Sequence, residues 1–111
     1  MAENLILEMK QGDTAPRFRA QLLDGDDPVD LTTASQVKLL IGYTDGTALS
    51  QTVTVENQTT NTGWVNRTWV AGETELAGNH QLEVEVLWAD GTRQTFPRDT
   101  YGQFIIIDDL G

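Results

Sequence analysis

The chain has 111 residues, which suits one domain whose single core removes roughly two thirds of the unfolded surface from water. An apolar content of 39%, with three Trp, three Phe and two Tyr, supports a packed sandwich or small barrel rather than a disordered chain, and the lack of Cys excludes disulfides and thiolate metal sites. Seventeen acidic against seven basic residues leave a formal net charge of -10, which repels a phosphate backbone and makes nucleic acid a poor partner; it reads as a solvated, self-repelling surface, with cation binding or a basic partner surface as the alternative.

The opening MAENLILEMK carries Glu3 where a signal peptide wants positive charge, and its apolar run Leu5 to Leu7 is too short for the hydrophobic part of one. No run approaches the roughly 18 apolar residues of a membrane span. The expectation is synthesis in the producer's cytoplasm and no membrane partner. Asn4 to Lys10 reads as a first strand, with Leu5, Leu7 and Met9 on one side and Ile6 and Glu8 on the other. Gly12 and Pro16 break it, and Arg17 to Leu23 alternates again through Phe18, Ala20 and Leu22. Asp24-Gly25-Asp26-Asp27-Pro28 is a turn, and a single helical turn is the most that Leu31 to Ser35 predicts.

Gln36 to Tyr43 predicts a central strand, with Val37, Leu39, Ile41 and Tyr43 opposite Lys38, Leu40 and Gly42. An Asp45-Gly46 turn returns the chain through Ala48 to Val55, with Val53 and Val55 in step. Glu56 to Gly63 is a polar loop, Trp64 to Val70 is strand-like, and Ala71 to Asn79 is polar, with one further helical turn possible around Glu73 to Leu76. The clearest signal is Gln81 to Phe96: Leu82, Val84, Val86 and Trp88 alternate with Gln81, Glu83 and Glu85, then Asp90-Gly91 supplies a hairpin turn. After a loop from Pro97 to Gly102, Gln103 to Ile107 makes a last strand. Seven to eight short strands with frequent turn signals and no long helical period predict an all-β antiparallel sandwich over residues 1–111.

Two segments depart from clean alternation. Trp64 and Trp69 are five apart, which in a regular strand sends them to opposite faces, so only one enters the same core. Phe104-Ile105-Ile106-Ile107 is apolar on both faces, so its outer side needs a loop, a neighbouring sheet or another subunit.

Reactive chemistry is hard to find. His80 is the single histidine, and neither Ser35 nor Ser50 sits in a Gly-x-Ser-x-Gly elbow. Glu83 and Glu85 share an exposed face because strand alternation puts them there. The cluster Asp24, Asp26 and Asp27 lacks the spacing of a calcium loop and reads as turn chemistry; Asn57-Gln58-Thr59 and Asn66-Arg67-Thr68 match the glycosylation triplet, a match short enough to arise by chance. No catalytic, cofactor-binding or metal-binding residues are expected, and the chain is not expected to be an enzyme.

Lys10-Gln11-Gly12-Asp13-Thr14-Ala15-Pro16, then Leu23-Asp24-Gly25, then Pro28-Val29-Asp30-Leu31-Thr32, resembles the opening of the immunoglobulin-like N-terminal domain of phage baseplate upper proteins, where a K-x-GDTAP entry precedes a PVDLT crossover. Gly78 to Val86, Asp90-Gly91, Thr95-Phe96-Pro97 and Ile105 to Asp108 look like the same family's closing pattern. The resemblance implies an immunoglobulin-like sandwich in a non-catalytic virion structural protein, a tail, baseplate or connector component without cofactors. Its implied partners are other virion proteins and further copies of itself. This chain stops at Asp109-Leu110-Gly111, without the downstream arm of the longer members, which leaves a stand-alone subunit, such as a head decoration protein, or a fragment. Leu5, Ile6, Leu7, Trp64, Trp69, Ile105 and Ile107 are the expected contact residues. The alternative from another class is a small carbohydrate-binding module contacting host cell-wall glycans, with Trp64, Trp69 and Tyr101 as its platform.

Overall fold

In the computed structural model residues 5–97 and 101–110 are described; the expected strand start at Asn4, the charge at Glu3 and the middle of the loop from Pro97 to Gly102 lie outside them. Period-two alternation forms strands β1 (Ile6–Lys10), β2 (Phe18–Gln21), β3 (Leu23–Asp24), β4 (Asp27–Pro28), β5 (Ala34–Gly42), β6 (Ala48–Thr52), β7 (Thr54–Val55), β8 (Trp64–Arg67), β9 (Gly78–Trp88), β10 (Arg93–Phe96) and β11 (Gly102–Ile107). Only β3, β4 and β7 are two-residue pieces, so the longer strands match the expected number. No helix occurs among the described residues, and the segments at Leu31 to Ser35 and Glu73 to Leu76 are not helical.

The large sheet runs β1-β11-β9-β5-β6, with β10 pairing the second half of β9; the small sheet runs β2-β8-β7, and β3 and β4 form a separate hairpin. The pairing is antiparallel except at β1 and β11, which run parallel with Leu7 opposite Phe104 and Met9 opposite Ile106. The expected antiparallel sandwich thus carries one parallel pair, at its β1 edge. Parallel neighbours cannot be joined by a tight turn, and here the rest of the molecule is the connection. The order is consistent with an immunoglobulin-like Greek key, in which the first strand joins the last and the small sheet is built from the second, middle and bridging strands.

One apolar cluster fills the space between the sheets. The small sheet supplies Phe18, Ala20 and Val65; the large sheet supplies Met9, Val37, Leu39, Ile41, Leu82, Val84, Val86, Phe104 and Ile106; Leu22, Leu31, Val53, Trp69 and Phe96 close its margins. Trp69 stacks on Phe104 with ring centroids 5.0 Å apart and meets Phe18 edge-on at 6.1 Å. Only Val53, not Val55, enters the core. The Val53 N–H still donates to the Val37 carbonyl (2.9 Å), after which the chain leaves β5 and pairs with β8 as β7. That change of sheet breaks the single strand expected from Ala48 to Val55.

The two Asp-Gly-Thr turns share one geometry. Thr47 N–H and Oγ1 donate to Asp45 Oδ1, as Thr92 N–H and Oγ1 do to Asp90 Oδ1, while Gly46 (φ +90°) and Gly91 (φ +89°) take the left-handed position. The aspartates keep negative φ, so only the glycine supplies the conformation an ordinary side chain resists.

Candidate functional site

The expected contact residues fall into three groups. Leu5 and Leu7 turn inward and pack half-buried against the core, and Trp69 is only 3% exposed, so Trp69 is not available to a partner. Trp69 is inside because β8 ends at Arg67: the chain leaves extended geometry before position 69, and the indole is free to turn under Phe104. Its Nε1 has no hydrogen-bond partner among the described residues. Trp64 stays at the surface of the small sheet, half-buried, with the Arg19 guanidinium 3.9 Å above its ring centroid. Ile6 (59% exposed), Ile107 (42%) and half-buried Ile105 share the outer face of the large sheet where β1 meets β11, with Ile6 and Ile107 at opposite ends of the ladder. Glu8, Lys10 and Gln103 lie between them.

The polar groups around these surfaces are mostly ties within the fold. Glu56 receives Arg19 through both carboxylate oxygens (2.9 and 3.0 Å) and accepts from Asn61 and Asn66 (3.0 Å each). The Arg19 hydrogen bonds, then those of the asparagines, hold its carboxyl down at about 2. Asn66, in one of the two glycosylation-like triplets, is thereby committed to Glu56, and Asn57 in the other caps its own loop by accepting from Thr59 N–H (2.9 Å). The Arg67 guanidinium forms a bidentate pair with Glu73 (2.8 Å each), and Val70 N–H adds a third donor. Burial works against the Glu73 charge, but these donors outweigh it and its carboxyl is held below the ordinary range.

His80 is 1% exposed beneath Tyr43 and Phe104. Thr44 N–H donates to Nδ1 (3.1 Å), so the ring proton sits on Nε2 and donates to the Leu76 carbonyl (2.7 Å). Both nitrogens are engaged in fastening the loop before β9 to the end of β5. The Asp24, Asp26 and Asp27 cluster sits on the β3–β4 turn, with Asp24 opposite Asp27, and no three potential metal ligands converge among the described residues.

Two grooves lie beside β6. One, of about 410 Å³, is lined by Tyr43, Asp45, Thr47, Leu49, Glu73 and Glu75 among others; its apolar floor is rimmed by carboxylates. The other, of about 320 Å³, crosses the outer face of the large sheet past Leu40, Ala48, Ser50, Glu83 and Tyr101. Glu83 sits higher than an ordinary glutamate, because burial and then the neighbouring Glu85 disfavour its charge. Sequence reasoning did not single out β6 or these grooves, although the uncharged run Ala48-Leu49-Ser50-Gln51-Thr52 in so acidic a chain was a visible signal. No family model and no curated protein matches the chain.

Proposed function

We propose that this chain is a non-catalytic structural protein of a phage particle, an immunoglobulin-like subunit of the tail, baseplate or connector that works by contact with other subunits. The observation that carries the contact reading is the outer corner of the large sheet, where Ile6, Ile105 and Ile107 present an apolar patch beside a parallel strand pair. Exposed β-branched residues on one sheet face give burial a place to act, with the charges of Glu8 and Lys10 set among them to fix orientation. The phage context rests on the motif resemblance, with which the strand order agrees. The test is mass spectrometry of purified particles together with sedimentation of the isolated chain. Presence in the particle at many copies supports the proposal; a strict monomer over a wide concentration range that is also missing from particles refutes it.

The glycan-binding reading is weaker on this geometry. Its platform needed Trp64 and Trp69 side by side, but Trp69 is in the core and one face of Trp64 is covered by Arg19. Tyr101 alone remains exposed, on the other sheet's side. A glycan panel that shifts Trp fluorescence would restore this reading.

A further inference from the structure

Strand β6 ends the large sheet, and its pairing shows which peptide groups lie open. Tyr43 N–H donates to the Thr47 carbonyl and Val53 N–H to the Val37 carbonyl, and between these pairs lie Ile41 with Leu49 and Leu39 with Gln51. In an antiparallel ladder every second residue bonds inward. Leu49 and Gln51 therefore bond β5, whereas Ala48, Ser50 and Thr52 turn their N–H and C=O groups away from the sheet. Among the described residues β6 pairs with β5 alone, so no ladder satisfies these groups.

Natural sheets guard such an edge with charge, proline or a bulge. The opposite edge does so, since β1 carries exposed Glu8 and Lys10. β6 has neither charge nor proline, and its ladder with β5 runs without a register shift. The side chains beside the open groups are small: Ala48, Ser50 and Thr52 are all exposed, so another backbone can approach closely. Charge indicates what approaches. The lining of the two flanking grooves includes Asp45, Glu73, Glu75 and Glu83 and no basic residue. Glu73 is already neutralised by Arg67, but Asp45 and Glu75 form no ion pair among the described residues.

We propose that β6 is a docking edge for an extended, basic segment of a partner protein, which adds as a further strand along Ala48, Ser50 and Thr52 and lays a lysine or arginine side chain past Leu49 into the groove between Asp45 and Glu75. The proposal rests on the reading that the chain works through protein contacts, but it uses a surface separate from the Ile6 and Ile107 corner. Main-chain hydrogen bonds supply affinity, and the acidic groove selects the alternate side chains of the added strand. A second copy of this chain is the less suited occupant, because it brings another net charge of -10 to the seam.

The experiment uses the full chain and a labelled seven-residue peptide alternating valine and lysine, with a valine and glutamate peptide as control, in 0.15 M salt. Binding is read by anisotropy, and amide hydrogen exchange is read residue by residue. The expected result is binding of the lysine peptide alone, with exchange at Ala48, Ser50 and Thr52 slowed at least tenfold. Ser50→Pro removes an outward N–H and no bond to β5, so it should abolish binding while leaving circular dichroism unchanged. Should Ser50→Pro fail to fold, the Asp45→Asn/Glu75→Gln variant decides, with affinity lowered about tenfold. No binding, binding that Ser50→Pro retains, or protection of other amides overturns the proposal. So does protection at Ala48, Ser50 and Thr52 that rises with protein concentration without peptide, which assigns the edge to a second copy. Particles that incorporate Ser50→Pro normally would overturn the edge while leaving the structural-protein reading intact.

Discussion

Glu83 carries a destabilising charge. It lies opposite Leu40 on one side and two residues from Glu85 along its own strand, and burial followed by Glu85 raises its ionisation range. A carboxyl that ionises less readily folded than unfolded opposes folding at neutral pH, and this opposition disappears once both states are protonated. Glu83→Gln should therefore raise the urea midpoint at pH 7, with the gain shrinking to nothing as pH falls below the ordinary carboxylate range. Glu73 has the opposite sign: its lowered range adds stability that is present above the usual glutamate value and is lost as pH falls through the lowered one. Removing the cation with Arg67→Ala strands that carboxylate with its side chain 15% exposed, and the expected cost is about 2–3 kcal/mol by denaturant titration. A third residue is constrained by space alone. A Cβ on Gly102 would stand 2.8 Å from the Leu5 carbonyl and 2.9 Å from the Leu82 carbonyl, so Gly102→Ala should cost about 1–3 kcal/mol and open the β1–β11 pairing first, visible as faster amide exchange at Gln103.

At the scale of elements, much of the fold was legible because its signals are local. Period-two alternation located β5, β9 and β11, and each Asp-Gly-Thr run declared its turn, since aspartate, glycine and threonine all act within five residues. Replacing Asp90 with alanine should lower the urea midpoint without changing the slope of the transition, because it removes the acceptor for Thr92 N–H and Oγ1 and nothing from the core. What alternation could not reveal is long-range. The break at Val53 depends on β8 offering a second sheet, and the burial of Trp69 depends on β8 ending at Arg67 and on the face of Phe104 being open to it. The parallel placement of β1 follows from where the last strand lies, 96 residues later at its start (Ile6 to Gly102). Of the contact residues, the outward isoleucines were readable from strand parity. That only one tryptophan enters the core was readable as well; which one was not, because Trp69 lies off the strand and Trp64 is claimed by Arg19, which comes from β2.

For the whole molecule, two surfaces of different character emerge on a strongly acidic sandwich. The β1–β11 corner exposes isoleucines among the charges of Glu8 and Lys10; the β6 edge offers unpaired peptide groups beside acidic grooves. They sit at opposite ends of the large sheet, so neither surface blocks access to the other. That arrangement fits a repeated structural role better than binding to a single site. The most direct test is quantitative mass spectrometry of purified particles assembled with either the natural chain or an Ile6→Glu/Ile107→Glu variant, whose substitutions fall on exposed positions. The account predicts many copies per particle for the natural chain and at least a tenfold loss for the folded variant. Absence of the natural chain, or equal incorporation of the variant, would contradict it.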